Sequence, residues 1–302
     1  MIVTPASKRE DLLPSLGILV AAIMWGVFWI PVRGVESSGI GAAWTSVLIF
    51  AVSAVTFLPM VFFRWRIMLK GGGNILLAGF LSGLAFALYT IALNLTDVIR
   101  VILLFYMTPL WSTLLGILVL NEKLTANRVI GLILAFSGLM VVLGAGYQFP
   151  VPSNLGDWLA LFSGLLWSFA SVRLFQGGAE MLLEKVFLFV FFAFLCSILF
   201  ALLPLGHETS MPDPSLLRDA WGWIFVIAML MLPMTFLTIW PTTLLSPGRV
   251  GMLLMADVVA GVASAAILTE EAFGYRELTG TVLIVSAGVV EVMRQQKIKS
   301  HS

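Results

Sequence analysis

Cysteine and histidine are almost missing from this chain, and charge is scarce along all 302 residues. The single cysteine, Cys196, lies inside an apolar run, so neither a disulfide framework nor a cysteine metal site can form within one chain. The two histidines, His207 and His301, fall in a loop and in the tail, which excludes a histidine-based zinc site in the apolar segments. Charged residues make up 11% of the chain, against roughly 25% in a soluble domain. Net charge is only +1, which speaks against nucleic-acid binding. No GxSxG, HExxH or phosphate-binding Gly-Lys loop occurs. No catalytic residue, enzyme activity, metal or cofactor is therefore expected.

What fills the space is apolar sequence, 60% of all residues. It falls into ten spans near 13–33, 42–63, 74–94, 98–120, 127–146, 155–175, 184–204, 220–241, 248–269 and 275–293. Each is close to the ~20 residues that cross ~30 Å of hydrocarbon at 1.5 Å per residue. The expectation is an all-α membrane protein with a lipid bilayer as its surroundings. The run that follows Lys8 and Arg9 is too long, and lacks the small-residue cleavage site, to be a signal peptide, so it reads as a retained helix. Ten spans put both termini on one side. If that side is cytoplasmic, all Lys and Arg except Arg33, Arg100, Arg218 and Arg276 lie there, a strong positive-inside bias. Asp97 and Ser246 are expected helix N-caps, as is Asn154 with Asp157 three residues on.

The stretch Ser246 to Glu271 has a paler copy 149 residues earlier, Asp97 to Glu122. Arg100 falls on Arg249, Glu122 on Glu271 and Gly131 on Gly280, and Trp25 pairs with Trp167 at an offset of 142. Five spans precede the second half and five compose it. An odd number gives the halves opposite orientation, an inverted repeat that can rock about a site near the midplane. The expected organisation is a tail at 1–12, a first repeat at 13–146, a linker at 147–154, a second repeat at 155–293 and a basic tail at 294–302.

This layout resembles the drug/metabolite transporter superfamily, and in particular its EamA group of ten-helix proteins. The resemblance is carried by LLFYMTPLWSTLLGILVLNEKLTANRVIGLILAFSGLMVVLG and LLMADVVAGVASAAILTEEAFGYRELTGTVLIVSAGVVEV, with Trp25-Gly26 and Trp167-Ser168 in the first span of each half. It implies secondary transport of a small-molecule substrate, commonly export of amino acids or other metabolites across the bacterial inner membrane. The acid that small multidrug exporters of this superfamily carry in their first helix has no counterpart between Asp11 and Glu36. That proton–drug exchange therefore does not carry over. Nor does any intramembrane lysine suggest a grip on a sugar phosphate.

The residues themselves single out Asp257, about ten positions into the ninth span. An ionised acid at that depth costs on the order of 2.5–3.5 kcal/mol on insertion scales, and it ordinarily faces protein or a watery cavity. It is a candidate proton acceptor, and so a site for proton coupling, or the counter-charge to an amine; the competing account is a structural pair with a neighbouring helix. Gly261 and Ser264 share its helical face. Trp25, Tyr89, Trp111 and Trp167 could line a substrate site around it, or simply fill the interior. Thr108 aligns with Asp257 across the repeat. Pro109 and Pro233 interrupt the fourth and eighth spans and are candidate gates or kinks. Arg100 reads as part of a solvated cap with Asn94 and Asp97, while Glu122 and Glu271 read as fixing helix ends. Export of an amino acid-like or amine metabolite is the first expectation. Import of an organic cation or osmolyte is the alternative, and a non-transporting receptor is more remote. Oligomeric state is not readable.

Overall fold

The structure, a computed structural model, describes residues 12–96, 98–143, 151–203, 210–268 and 274–298. Asp97, Glu271, His207, His301 and linker residues 147–150 lie outside that set. Among the described residues every regular element is an α-helix. In order they are α1 (Leu12–Val27), α2 (Trp29–Glu36), α3 (Ala42–Lys70), α4 (Gly72–Leu95), α5 (Val98–Phe105), α6 (Thr108–Leu120) and α7 (Ala126–Leu143). Then follow α8 (Leu155–Gln176), α9 (Leu182–Ala201), α10 (Pro214–Asp219), α11 (Trp221–Thr242), α12 (Pro247–Leu254), α13 (Ala256–Leu268) and α14 (Tyr275–Ile298). Among the described residues, eight helical segments are long and apolar enough to cross a membrane: 12–36, 42–68, 72–93, 100–120, 155–176, 182–201, 221–242 and 247–268. At the fifth and tenth expected spans the described apolar stretches are Ala126–Val142 and Leu278–Glu291.

Three of the eight are broken rods, and two breaks have a covalent cause. A proline inside a helix lacks the N–H for the carbonyl four residues back, and its ring crowds that carbonyl. Pro31 and Pro109 sit four residues after Val27 and Phe105, where α1 and α5 end. Pro109 is thus less a kink than the opening of a new helix, a position proline suits. The carbonyl it strands is not left bare, because the Thr108 hydroxyl donates to Phe105 O at 2.5 Å. The third break, at Met255 between α12 and α13, has no proline. Pro233 and Pro241 lie within α11, which runs on through both.

Packing is between helices distant in sequence. α4 packs on α8 and α9, α3 on α9 and α11, α1 on α11, α12 and α13, α8 on α5 and α6, and α7 on α14. Several crossings rest on glycine. At Gly26 a side chain would overlap the Asp257 carbonyl, Ala260 and the Gly261 amide, so α1 meets α13 backbone to backbone. Gly79 and Gly83, four residues apart on α4, lie against Leu188, Phe189 and Ala193 of α9. Gly138 and Gly280 face each other's carbonyls where α7 crosses α14.

Polar clusters close both ends. At one, Asp157 is fully buried and accepts from Thr96 Oγ1 (2.9 Å), Arg100 Nε (3.1 Å) and Nη2 (2.5 Å), and Ser153 N (2.9 Å). Arg100 is therefore not part of a solvated cap; it clamps the start of α8 to the start of α5. Asn154 caps α8 as expected, accepting from Asp157 N at 2.9 Å. At the opposite end, Arg128 is buried and donates to Glu122 (2.5 Å), Ser246 Oγ (3.1 Å) and Glu291 (3.4 Å). Ser246 has the extended backbone of an N-cap, but its hydroxyl accepts from Arg128 and does not cap α12. Arg249 Nη2 donates to Ser15 Oγ at 2.8 Å nearby.

Candidate functional site

A cavity of about 260 Å³ opens among α1, α2, α3, α4, α5, α8 and the α12–α13 break. Its floor is Asp257 with Leu254, and its walls include Trp25, Phe86, Tyr89, Phe105, Tyr106 and Trp167. Toward the end of the bundle that carries Arg100, it is lined by Trp29, Glu36, Ala42, Thr45 and Ser46. The other end is sealed below the floor by Ile18, Leu245, Val250 and Leu253, each at most 2% exposed. A small volume with an aromatic lining and a few polar groups is the usual character of a small-ligand site.

Asp257 stands in the first turn of α13, beside the helix break. That position favours negative charge through the unpaired amides of a helix start. The Tyr106 hydroxyl and the Val258 amide lie near its carboxyl group. Its Oδ1, however, is sealed from solvent and accepts no hydrogen bond. A buried acceptor left in this state costs roughly 1–3 kcal/mol, more when charged. Trp167 Nε1 is likewise buried without an acceptor.

The aromatic walls are held in place. Phe86 links them, with its ring centroid 5.0 Å from Trp25 and 5.3 Å from Trp167. Tyr89 lies 4.7 Å from Phe105, and Phe105 lies 5.3 Å from Tyr106. Trp25 Nε1 donates to Thr238 Oγ1 on α11 at 3.0 Å, and Trp29 Nε1 donates to Ser264 Oγ on α13 at 3.0 Å.

The residues singled out in the sequence separate into two groups. Asp257, Trp25, Tyr89 and Trp167 meet in this one cavity. Thr108, Trp111, Ser264, Pro109 and Pro233 are not among its walls. Thr108 is buried against α8, with its hydroxyl between Phe105 O and Gly164 O. Ser264 reaches the site only through Trp29. Pro109 packs under Gly251 of α12. Trp111 is half-buried on α6 with an unpartnered Nε1. Tyr106, which with Tyr89 offers a hydroxyl among the aromatics of the sequence, also lines the cavity, two residues before Thr108, Asp257's repeat counterpart.

A second hollow of about 290 Å³ lies at the opposite end, near the starts of α4 and α9, lined by Asn74, Arg173, Glu180 and Lys185 among others. Lys185 Nζ is already spent there on Gly177 O (3.0 Å) and Gly178 O. This hollow has neither the acid nor the aromatic walls of the first.

Residues 12–144 match the model of the EamA-like transporter family. Among solved structures, one crystal structure superposes with a TM-score of 0.69 at 17% sequence identity, covering 97% of this chain and 99% of its own, a likeness of fold. No match was found among curated proteins.

Proposed function

Carrying an EamA-like transporter unit at residues 12–144, this multi-pass membrane chain is, we propose, a secondary transporter of the bacterial inner membrane that works by alternating access. It exports a small amine or amino acid-like metabolite. The observation that carries this reading is the partly open Asp257 carboxyl group at the floor of an aromatic cavity that reaches one end of the bundle. Asp257 binds an amine group or a proton in turn, which would couple transport to a proton gradient. Trp25, Tyr89 and Trp167 shape the bound substrate, while Thr108, Trp111, Ser264, Pro109 and Pro233 act from outside the cavity, through packing and helix breaks.

An organisation of ten spans in two inverted halves, with both termini in the cytoplasm, is supported by contacts that recur at the repeat offsets. The breaks after Phe105 and Leu254 are 149 residues apart. Ser168 of α8 donates to Thr108 O (3.2 Å), and its counterpart 142 residues earlier, Gly26, abuts Asp257 O, the counterpart of Thr108 O. The same offsets map Arg100–Asp157 onto Arg249–Ser15. The helix pairs exchange in step: α8 meets α5 and α6 as α1 meets α12 and α13, and α4 meets α8 as α11 meets α1. Two halves that grip each other by equivalent contacts can trade one closed end for the other.

The test needs no substrate. In a Cys196→Ser background, Thr90→Cys puts a single thiol in the cavity wall. A membrane-impermeant maleimide should label it in vesicles of either orientation. Labelling from one side only, under all conditions tried, would sink alternating access.

A further inference from the structure

The cavity has a sign. Among the described residues that line it, the carboxyl groups are those of Asp257 and Glu36, and no Lys, Arg or His joins them. Glu36 is exposed at the mouth, one turn beyond the exposed Arg33, whose guanidinium sits 5.6 Å from the centre of the Trp29 ring. The Glu36 charge is therefore partly met at the mouth, by Arg33, and Asp257 alone sets the charge at depth. The cavity that holds Asp257 is also lined by the rings of Trp25, Phe86, Tyr89, Phe105 and Trp167. Aromatic rings attract cations, and more strongly in a dry site.

We infer that the bound species is an organic monocation with an apolar or aromatic body, and that a free carboxylate on it is selected against. This deepens the transporter reading and rests on it. An ammonium group in the cavity can pair with the partly open Asp257 carboxylate and satisfy both charges together. A carboxylate brought to the same depth meets the Asp257 carboxylate and, as donors, only neutral groups such as the tyrosine hydroxyls. A buried charge without an opposite partner is strongly disfavoured. Substrate choice then falls to amines over the zwitterionic amino acids from which they derive, because the site has a counter-charge for one end of an amino acid and none for the other. The volume of about 260 Å³ limits the ligand to something small.

Three probes isolate the charge. Phenethylamine, phenylalanine and 3-phenylpropanoate share a ring and a two-carbon arm, and carry respectively a cation, both charges and an anion. Titrated by calorimetry against the purified full chain, phenethylamine should bind at least tenfold more tightly than phenylalanine, with 3-phenylpropanoate weaker still. Asp257→Asn should erase the preference and Asp257→Glu should keep part of it, with circular dichroism confirming that both remain helical. Equal or tighter binding of phenylalanine or 3-phenylpropanoate overturns the inference. So does absence of phenethylamine binding, or a preference that survives in Asp257→Asn. Two-sided labelling of Thr90→Cys is read independently, so a transporter with a different ligand class is distinguishable from a protein that does not alternate.

Discussion

Gly26 is where α1 has least freedom, and Gly26→Ala is the sharpest probe of how the bundle is held. The added methyl would lie 2.6 Å from Ala260 Cβ and 2.8 Å from Gly261 N, and closer still to the Asp257 carbonyl oxygen. Ordinary contact begins near 3.4 Å, so the gaps to Ala260 Cβ and Gly261 N fall short by roughly 0.6–0.8 Å. Two of the three atoms are backbone and cannot swing aside, so α1 must lift from α13. Overpacking of this kind costs about 1–3 kcal/mol, offset in part by the ~0.5–1 kcal/mol that alanine returns over glycine in a helix. Gly222→Ala is the matched control: it lies in α11 with nothing within 4 Å of the new methyl, so it keeps the helix gain without the overlap. Denaturation of the two purified variants in one detergent should separate them by about 1–3 kcal/mol, Gly26→Ala being the weaker. Trp25 precedes the glycine and donates to Thr238, so lifting α1 should also change tryptophan emission. Equal stability of the two variants would refute the backbone-to-backbone crossing on which Asp257 is mounted.

Two further outcomes follow from the polar contacts. Asp157→Asn or Arg100→Gln should each destabilise the chain by about 3 kcal/mol, the low end for breaking a buried pair because the Arg100 side chain is 25% exposed. The double variant should recover part of that loss, and strictly additive denaturation energies would show that the pair is not coupled. Trp25→Phe keeps a ring against Phe86 but loses the Thr238 hydrogen bond; a loss of about 1 kcal/mol in the same assay is expected, and an unchanged midpoint would mean that ring packing alone fixes the wall.

The long apolar runs made the helices legible, because twenty apolar residues can do little else in one stretch. Asn154 capped where expected for the same local reason. The central acid was legible too, since an ionisable group at such depth is conspicuous by its cost. What did not show was who meets whom across the bundle. Arg100 reads as a surface residue until Asp157, 57 positions away, is brought beneath it. Glu291 carries no local mark and becomes visible only as a partner of Arg128. The break at Met255 is silent because no proline causes it, whereas Pro109 announces its own and Pro233, read the same way, leaves α11 unbroken. Thr108 illustrates the limit of alignment: it occupies the repeat position of Asp257, yet its short hydroxyl turns back to the carbonyl that Pro109 strands.

The pair formed by α7 and α14 packs mainly on itself, across a crossing where Gly138 and Gly280 face each other's carbonyls. Residues such as Ile130, Ile133, Val282 and Val289 turn outward from the pair. Among the described residues, neither helix contributes to the cavity wall, so substitutions at this crossing separate the stability of the bundle from the shape of its ligand site.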